Sequence, residues 1–262
     1  MSRNERLYLP TERPSVDING LSVEALTLKE TARAFVDYCR SAARADAPRP
    51  LYSTSLNGQV ISLCAQDKDL VELFQQADSI NADGQPMVTL SRYLSSVRLP
   101  ERVATTDLYP AVAKLAEQVG LTFYLLGASE RVNRKTAEAT QKAFPNLNIV
   151  GRRNGYFSRD EEAAICAEIA ALKPDILWIA LGAPLEQYFC SRNLAKLKGV
   201  GVIKTAGGLF DFLSGEKPRA PGWMQKFGFE WLFRSIKEPR RLLLRYLTTN
   251  PHALYIMLTS MR

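Results

Sequence analysis

Asp83 is a candidate for acid–base chemistry. It follows Ser79-Ile80-Asn81-Ala82, which reads as a short strand, and precedes Gly84, which permits a tight turn. Its carboxylate would therefore stand at a strand end, where it can take a proton from a hydroxyl group. The same spacing suits a solvated turn residue, and pattern alone favours that reading. Ser55 and Asn57, in Ser55-Leu56-Asn57, lie at another strand-to-helix junction. A hydroxyl and an amide there can face a ligand or cap the next helix. Asp107, after Thr105-Thr106, carries the same two readings. Three further strands end in turns: Leu126-Gly127-Ala128, Leu181-Gly182-Ala183-Pro184 and Ala206-Gly207-Gly208. Glycine at such ends lets a diphosphate approach backbone N–H groups, or simply ends the strand. None spells the dinucleotide fingerprint or a Walker lysine motif.

The charge of the chain is as informative as its motifs. Of 262 residues with a net charge of +7, the segment from Lys217 to Arg262 holds nine Lys and Arg against two Glu, while the rest is balanced at 25 of each sign. All of the excess thus sits in a segment that also contains Trp223, Phe227, Phe229, Trp231, Phe233 and Tyr246. A basic, aromatic, amphipathic stretch suits an anionic membrane surface or a diphosphate. A phosphate backbone is a competing partner for it, which makes a noncatalytic nucleic-acid-binding protein the alternative class. The four cysteines, Cys39, Cys64, Cys166 and Cys190, have no C-x-x-C spacing and read as free buried thiols. His252 is the single histidine, which excludes a multi-His metal site and leaves a Ser-His-Asp triad without its usual context. No run approaches the roughly 20 apolar residues of a membrane span. The polar N-terminus lacks a secretory signal, so the expected location is cytoplasmic.

These residues need elements to position them. Residues 1–20 read as an extended lead-in. Helical spacing covers 27–43, 59–76, 107–119, 132–144 and 161–172, and strands are expected at 50–55, 79–82, 122–126, 148–150, 175–181 and 200–205. Strands alternating with helices call for an α/β fold, a largely parallel, Rossmann-like sheet with helices on both faces. The change of charge near Gly215-Glu216-Lys217-Pro218 divides the chain into an α/β catalytic domain, 1–216, and a basic helical C-terminal appendage, 217–262.

Taken together, the sequence resembles the WecG/TagA/CpsF family of bacterial glycosyltransferases. The resemblance spans roughly residues 15–248. It is carried by Asn81-Ala82-Asp83-Gly84, Phe123-Tyr124-Leu125-Leu126-Gly127, Gly151 with Gly155-Tyr156-Phe157, and Leu181-Gly182-Ala183-Pro184. Its most specific part is Gly208-Leu209-Phe210-Asp211-Phe212-Leu213-Ser214-Gly215, followed by Arg219-Ala220-Pro221, Glu230-Trp231-Leu232-Phe233-Arg234 and Glu238-Pro239-Arg240-Arg241. The resemblance implies an inverting transferase that moves a sugar from a UDP-sugar to an undecaprenyl-diphosphate-linked saccharide, with no metal and no cofactor. It would work at the inner face of the cytoplasmic membrane, with no nucleic-acid partner, and homo-oligomers are compatible with it. By the same resemblance, Asp83 is the general base and Ser55 and Asn57 line the donor pocket. Asp211 contacts uridine, Gln187 the sugar, and Arg234, Arg241 and Arg245 the diphosphates, with Asp107 also in the substrate site. Three departures stand out: Ser55 replaces the usual Thr, Thr105-Thr106-Asp107 stands where Gly-x-Asp is usual, and Glu186-Gln187 reverses the common order. They point to a divergent branch such as the xanthan-type exopolysaccharide glucosyltransferases, and leave open which of Glu186 and Gln187 faces the donor.

Overall fold

In the computed structural model the described residues are 13–222, 224 and 230–262, with the backbone alone described at 234, 240, 241 and 243. Six strands form one wholly parallel sheet: β3 (Leu51–Leu56), β4 (Ser79–Ala82), β5 (Thr122–Gly127), β6 (Asn148–Arg153), β7 (Ile176–Ala180) and β8 (Val202–Thr205), in the order β4-β3-β8-β7-β5-β6. Parallel strands buried on both faces need apolar side chains on each. β5 accordingly sends Phe123 and Leu125 to one core and Tyr124 and Leu126 to the other. β7 divides Ile176 and Trp178 from Leu177 and Ile179 in the same way. One face is covered by α1 (Leu28–Arg40), α5 (Thr105–Val119), α6 (Glu130–Ala143) and α9 (Leu209–Leu213). The other carries α2 (Gly58–Cys64), α3 (Lys68–Gln75), α4 (Gln85–Leu94), α7 (Glu162–Leu172) and α8 (Leu185–Asn193). The α/β expectation is met, and the four cysteines are free and buried.

Local chemistry explains where the elements begin. Thr27 and Glu30 form a reciprocal capping box at the start of α1, whose Ala32, Phe35, Val36 and Cys39 face the core as the spacing predicts. The single helix expected at 59–76 is two, because the Asp67 side chain accepts the N–H groups of Asp69 and Leu70 and restarts the chain as α3. The expected extended lead-in holds a hairpin instead, β1 (Ser15–Ile18) with β2 (Leu21–Glu24). Asn19 and Gly20 turn it with φ of 55° and 80°, the left-handed pair a two-residue hairpin needs. Neither α4 nor α8 is among the expected helices; Pro86 lies in the first turn of α4, and Pro184 is the residue before α8.

The basic segment forms α10 (Glu230–Lys237) and α11 (Pro239–Ser260). Leu242, Tyr246, Ala253 and Met257 share the buried side of α11, and α11 runs along α2, where His252 Nδ1 meets Ser62 Oγ at 2.9 Å. Beyond it, Arg262 exchanges two backbone hydrogen bonds with Asp17 of β1, at 3.0 and 3.1 Å. Among the described residues, no helix is long and apolar enough to cross a membrane.

Candidate active site

A cleft of about 1050 Å³ opens across the C-terminal ends of the strands, with α10 and α11 as its far wall. In parallel α/β sheets this is where ligands collect. Ser55, Asn57, Asp83, Gln187, Asp211 and Arg245, all expected from the sequence, line it together. The side chains of Arg234 and Arg241 lie outside the described residues, as do Trp223, Phe227 and Phe229.

Asp83 is fixed by the backbone on both sides. Its N–H donates to Leu56 O (2.8 Å), and Val103 N–H donates to Ala82 O (2.8 Å), bringing the chain before α5 against the end of β4. Burial pushes the Asp83 carboxyl up from 3.8 to about 6. Glu230 pushes the same way, while Arg102, Lys204 and the Thr105 N–H at the start of α5 pull it down. Arg102 pairs with Glu230 at 3.0 Å. Burial disfavours its charge, yet the Asp83 and Glu230 carboxylates outweigh burial and hold its pKa above the usual value. The result is a carboxylate still able to take up a proton near neutrality.

Two polar clusters support the floor on opposite faces of the sheet. On the α5 face, Lys204 Nζ donates to Ser55 Oγ (2.7 Å), which also meets Thr105 Oγ1 at 3.3 Å. On the α8 face, Gln187 Nε2 and Thr205 Oγ1 both donate to Thr54 Oγ1, at 3.1 and 2.8 Å. Gln187 Oε1 is buried and has no hydrogen-bond partner among the described residues. Next to it, Glu186 Oε2 accepts the N–H groups of Gly182 (3.2 Å) and Gly207 (3.0 Å). Burial raises Glu186 to about 7, against the Gly207 N–H, Lys204 and the Gly182 N–H. Two of the glycine turns therefore differ from expectation: their amides, which the sequence offers to a diphosphate, are taken by a carboxylate of the same chain. Both Glu186 and Gln187 line the cleft.

The remaining expected residues are drawn into pairs. Asn57 accepts the Val60 N–H (3.1 Å), which caps α2, and it also lines the cleft. Asp211 pairs with Lys217 at 2.8 Å, and Lys217 reaches Glu238 at 3.3 Å, tying α9 to the C-terminal helices. Asp107 is not among the lining residues; it is held by Arg219 at 2.7 Å, and its helix neighbours Thr105 and Thr106 line the cleft instead. Arg245 lies over the Tyr246 ring at 4.8 Å, and Tyr246 packs edge-on to Trp231 at 6.0 Å. Sequence reasoning missed Arg102, Lys204 and Glu230. Of these, Lys204 left a signal as a lone charge in a buried strand, and Glu230 stood in the family motif with no role assigned to it. Asp67-Lys68-Asp69 has the spelling of a metal-binding D-x-D triplet, but Asp67 caps α3 and neither aspartate lines the cleft.

The model of the "Glycosyl transferase WecG/TagA/CpsF family" matches residues 16–262. The chain belongs to this family. A relative from Bacillus subtilis (strain 168), described as N-acetylglucosaminyldiphosphoundecaprenol N-acetyl-beta-D-mannosaminyltransferase, is 29% identical over 188 residues, which is 72% of each chain. The family match extends through α10 and α11, so it takes in the far wall of the cleft as well as its floor.

Proposed function

We propose that the chain is an inverting transferase that moves a hexose or N-acetylhexosamine from a UDP-sugar to an undecaprenyl-diphosphate-linked saccharide, in exopolysaccharide or other cell-surface polysaccharide synthesis. The lipid-linked acceptor is carried over from the name of the Bacillus subtilis relative. The observation that carries the chemistry is the placement of Asp83, at the floor of a cleft large enough for two substrates, with its carboxyl raised to about 6 beside Arg102. In a direct displacement, Asp83 takes the proton of the acceptor hydroxyl as that oxygen bonds the anomeric carbon. The C–O bond to UDP breaks on the opposite face, and its electron pair leaves with the diphosphate.

The leaving charge needs cations, and this reading assigns them to Arg102 and Arg245, which line the cleft, together with Arg234 and Arg241. It is therefore a metal-independent reaction. Ser55, Asn57 and Gln187 line the donor side and Asp211 faces the uridine. The C-terminal segment, 217–262, would work at the inner face of the cytoplasmic membrane. Its outward side carries Ile236, Leu244, Leu247, Tyr255 and Leu258, with Leu244 72% exposed, and a basic amphipathic surface of this kind binds anionic lipid.

The test is UDP release from UDP-glucose, UDP-N-acetylglucosamine, UDP-N-acetylmannosamine and UDP-N-acetylmannosaminuronate. EDTA and an undecaprenyl-diphosphate-linked N-acetylglucosamine acceptor are present, in anionic detergent micelles. Acceptor-dependent release from one donor identifies the reaction and the sugar together. A chain that releases no UDP, fails to bind it, and binds DNA or RNA in preference to anionic liposomes would contradict the reading.

A further inference from the structure

Lys204 is wholly buried, at 0% exposure, in β8 between Ser53 of β3 and Trp178 of β7. An ammonium group withdrawn from water costs several kcal/mol unless its surroundings compensate. An apolar side chain would fill this position of a parallel strand without that cost. The hydrogen bond of Lys204 goes to a neutral hydroxyl, Ser55 Oγ, at 2.7 Å. Ser55 Oγ then lies 3.3 Å from Thr105 Oγ1, and the Thr105 backbone N–H is among the groups that lower the Asp83 carboxyl. Lys204, Ser55 and Thr105 thus lead from a buried cation to the lining of the cleft, which Ser55 and Thr105 share with Asp83.

We infer that Lys204 is a positioning residue for the transfer reaction, acting through Ser55 and Thr105 to hold Asp83 in its ionised, proton-accepting form inside a desolvated cleft. This rests on the reading of Asp83 as the base. Because Ser55 Oγ accepts from Lys204, its own proton points away, toward Thr105 or a bound ligand. The charged groups around Asp83 are Arg102 before α5, Glu230 on α10 and Lys204 on β8. Those around Lys204 are Asp83, Glu186 on α8 and Glu24 on β2. Burial lowers Lys204 to about 8, and these three carboxylates oppose that fall. A lysine retained only for packing would leave the proton affinity of Asp83 unchanged when its charge is removed. The effect of the charge is what separates the two roles.

The coupling is measured from both ends in the full chain, by NMR titration of the Asp83 carboxyl carbon and of the Lys204 ε-carbon. In Lys204→Met, which keeps the length of the side chain, the Asp83 midpoint is expected to rise by about one pH unit. In Asp83→Asn, the Lys204 midpoint is expected to fall below its wild-type value, since coupling between two sites is reciprocal. The second measurement does not depend on Lys204→Met folding. An unchanged midpoint at either end, in a variant that retains the wild-type near-ultraviolet spectrum, overturns the inference. In transfer assays the acidic limb of Lys204→Met follows the Asp83 midpoint upward. An Asp83→Asn enzyme that kept full turnover would instead remove the base assignment and leave both titrations as they are.

Discussion

The floor and the far wall of the cleft are built on opposite principles. The floor is the end of a parallel sheet, where Thr54, Gln187, Thr205 and Lys204 are buried and hydrogen-bonded. The wall is a pair of basic helices whose inner side packs into the body through Ala253 and Met257 and whose outer side leaves Ile236 and Leu244 in the open. Between them run ion pairs, Arg102 with Glu230 and Lys217 with Asp211 and Glu238. On the proposed reading, the proton chemistry sits where geometry is fixed by the sheet, and surface recognition where an amphipathic helix would meet lipid. The wall cannot be probed by deletion. Fully burying a methionine is worth about 1.5–3 kcal/mol, so removing α11 would open the core as well as the cleft. Point substitutions are the sharper tools.

The largest expected effect falls on the floor. Asp83→Asn should lower turnover by roughly 10²–10⁴-fold while UDP affinity, read by calorimetry, stays within about twofold. Arg102, which bridges floor and wall, comes next. Arg102→Met should lower kcat by about 10²–10³-fold, as expected when a preorganised cation is withdrawn from a leaving group. It should also move the acidic limb upward, because Arg102 is the group that most lowers the Asp83 carboxyl. On the wall, the double substitution Leu244→Ser and Leu258→Ser should reduce partition onto anionic liposomes by roughly tenfold or more. Denaturant melts of that variant should shift by less than about 1 kcal/mol, since both side chains are exposed. Loss of stability without loss of liposome binding would reverse the assignment of the two regions.

The smallest effect concerns stability and pH. Burial raises Asp83 from 3.8 to about 6, so between those values the folded chain holds a proton that the unfolded chain has released. Stability contributed at this position is therefore greatest at low pH and falls as pH rises from about 4 to about 6. Asp83→Asn removes that slope. The variant should gain stability relative to the wild type between pH 4 and pH 7, as read by denaturant melts at each pH.

The strands and the general position of the cleft were legible because periodicity and turn residues are local signals. The α1 capping box, the burial of Phe35 and Val36, and the strand end at Asp83 all follow from short windows of sequence. The hairpin signal is local too, in Asn19-Gly20 between alternating apolar residues. So is that of Lys204, a lone charge in Val200–Thr205, which parallel-sheet burial marks as needing a partner. Other features could not be read in this way. The Glu186 carboxylate meets Gly207, and Arg102 meets Glu230, only after distant segments have packed. The offer of glycine amides to a diphosphate failed at Gly182 and Gly207 for that reason. Asp107 was drawn to Arg219 by the same long-range pairing.

The most direct test of the account is the pH dependence of kcat/KM for sugar transfer, measured in the wild type and in the residual activity of Asp83→Asn. The wild type should show an acidic limb with its midpoint near pH 6, where Asp83 loses its proton, and the variant no such limb. A limb that persists unchanged in Asp83→Asn would assign the titrating base to another group and contradict the central claim.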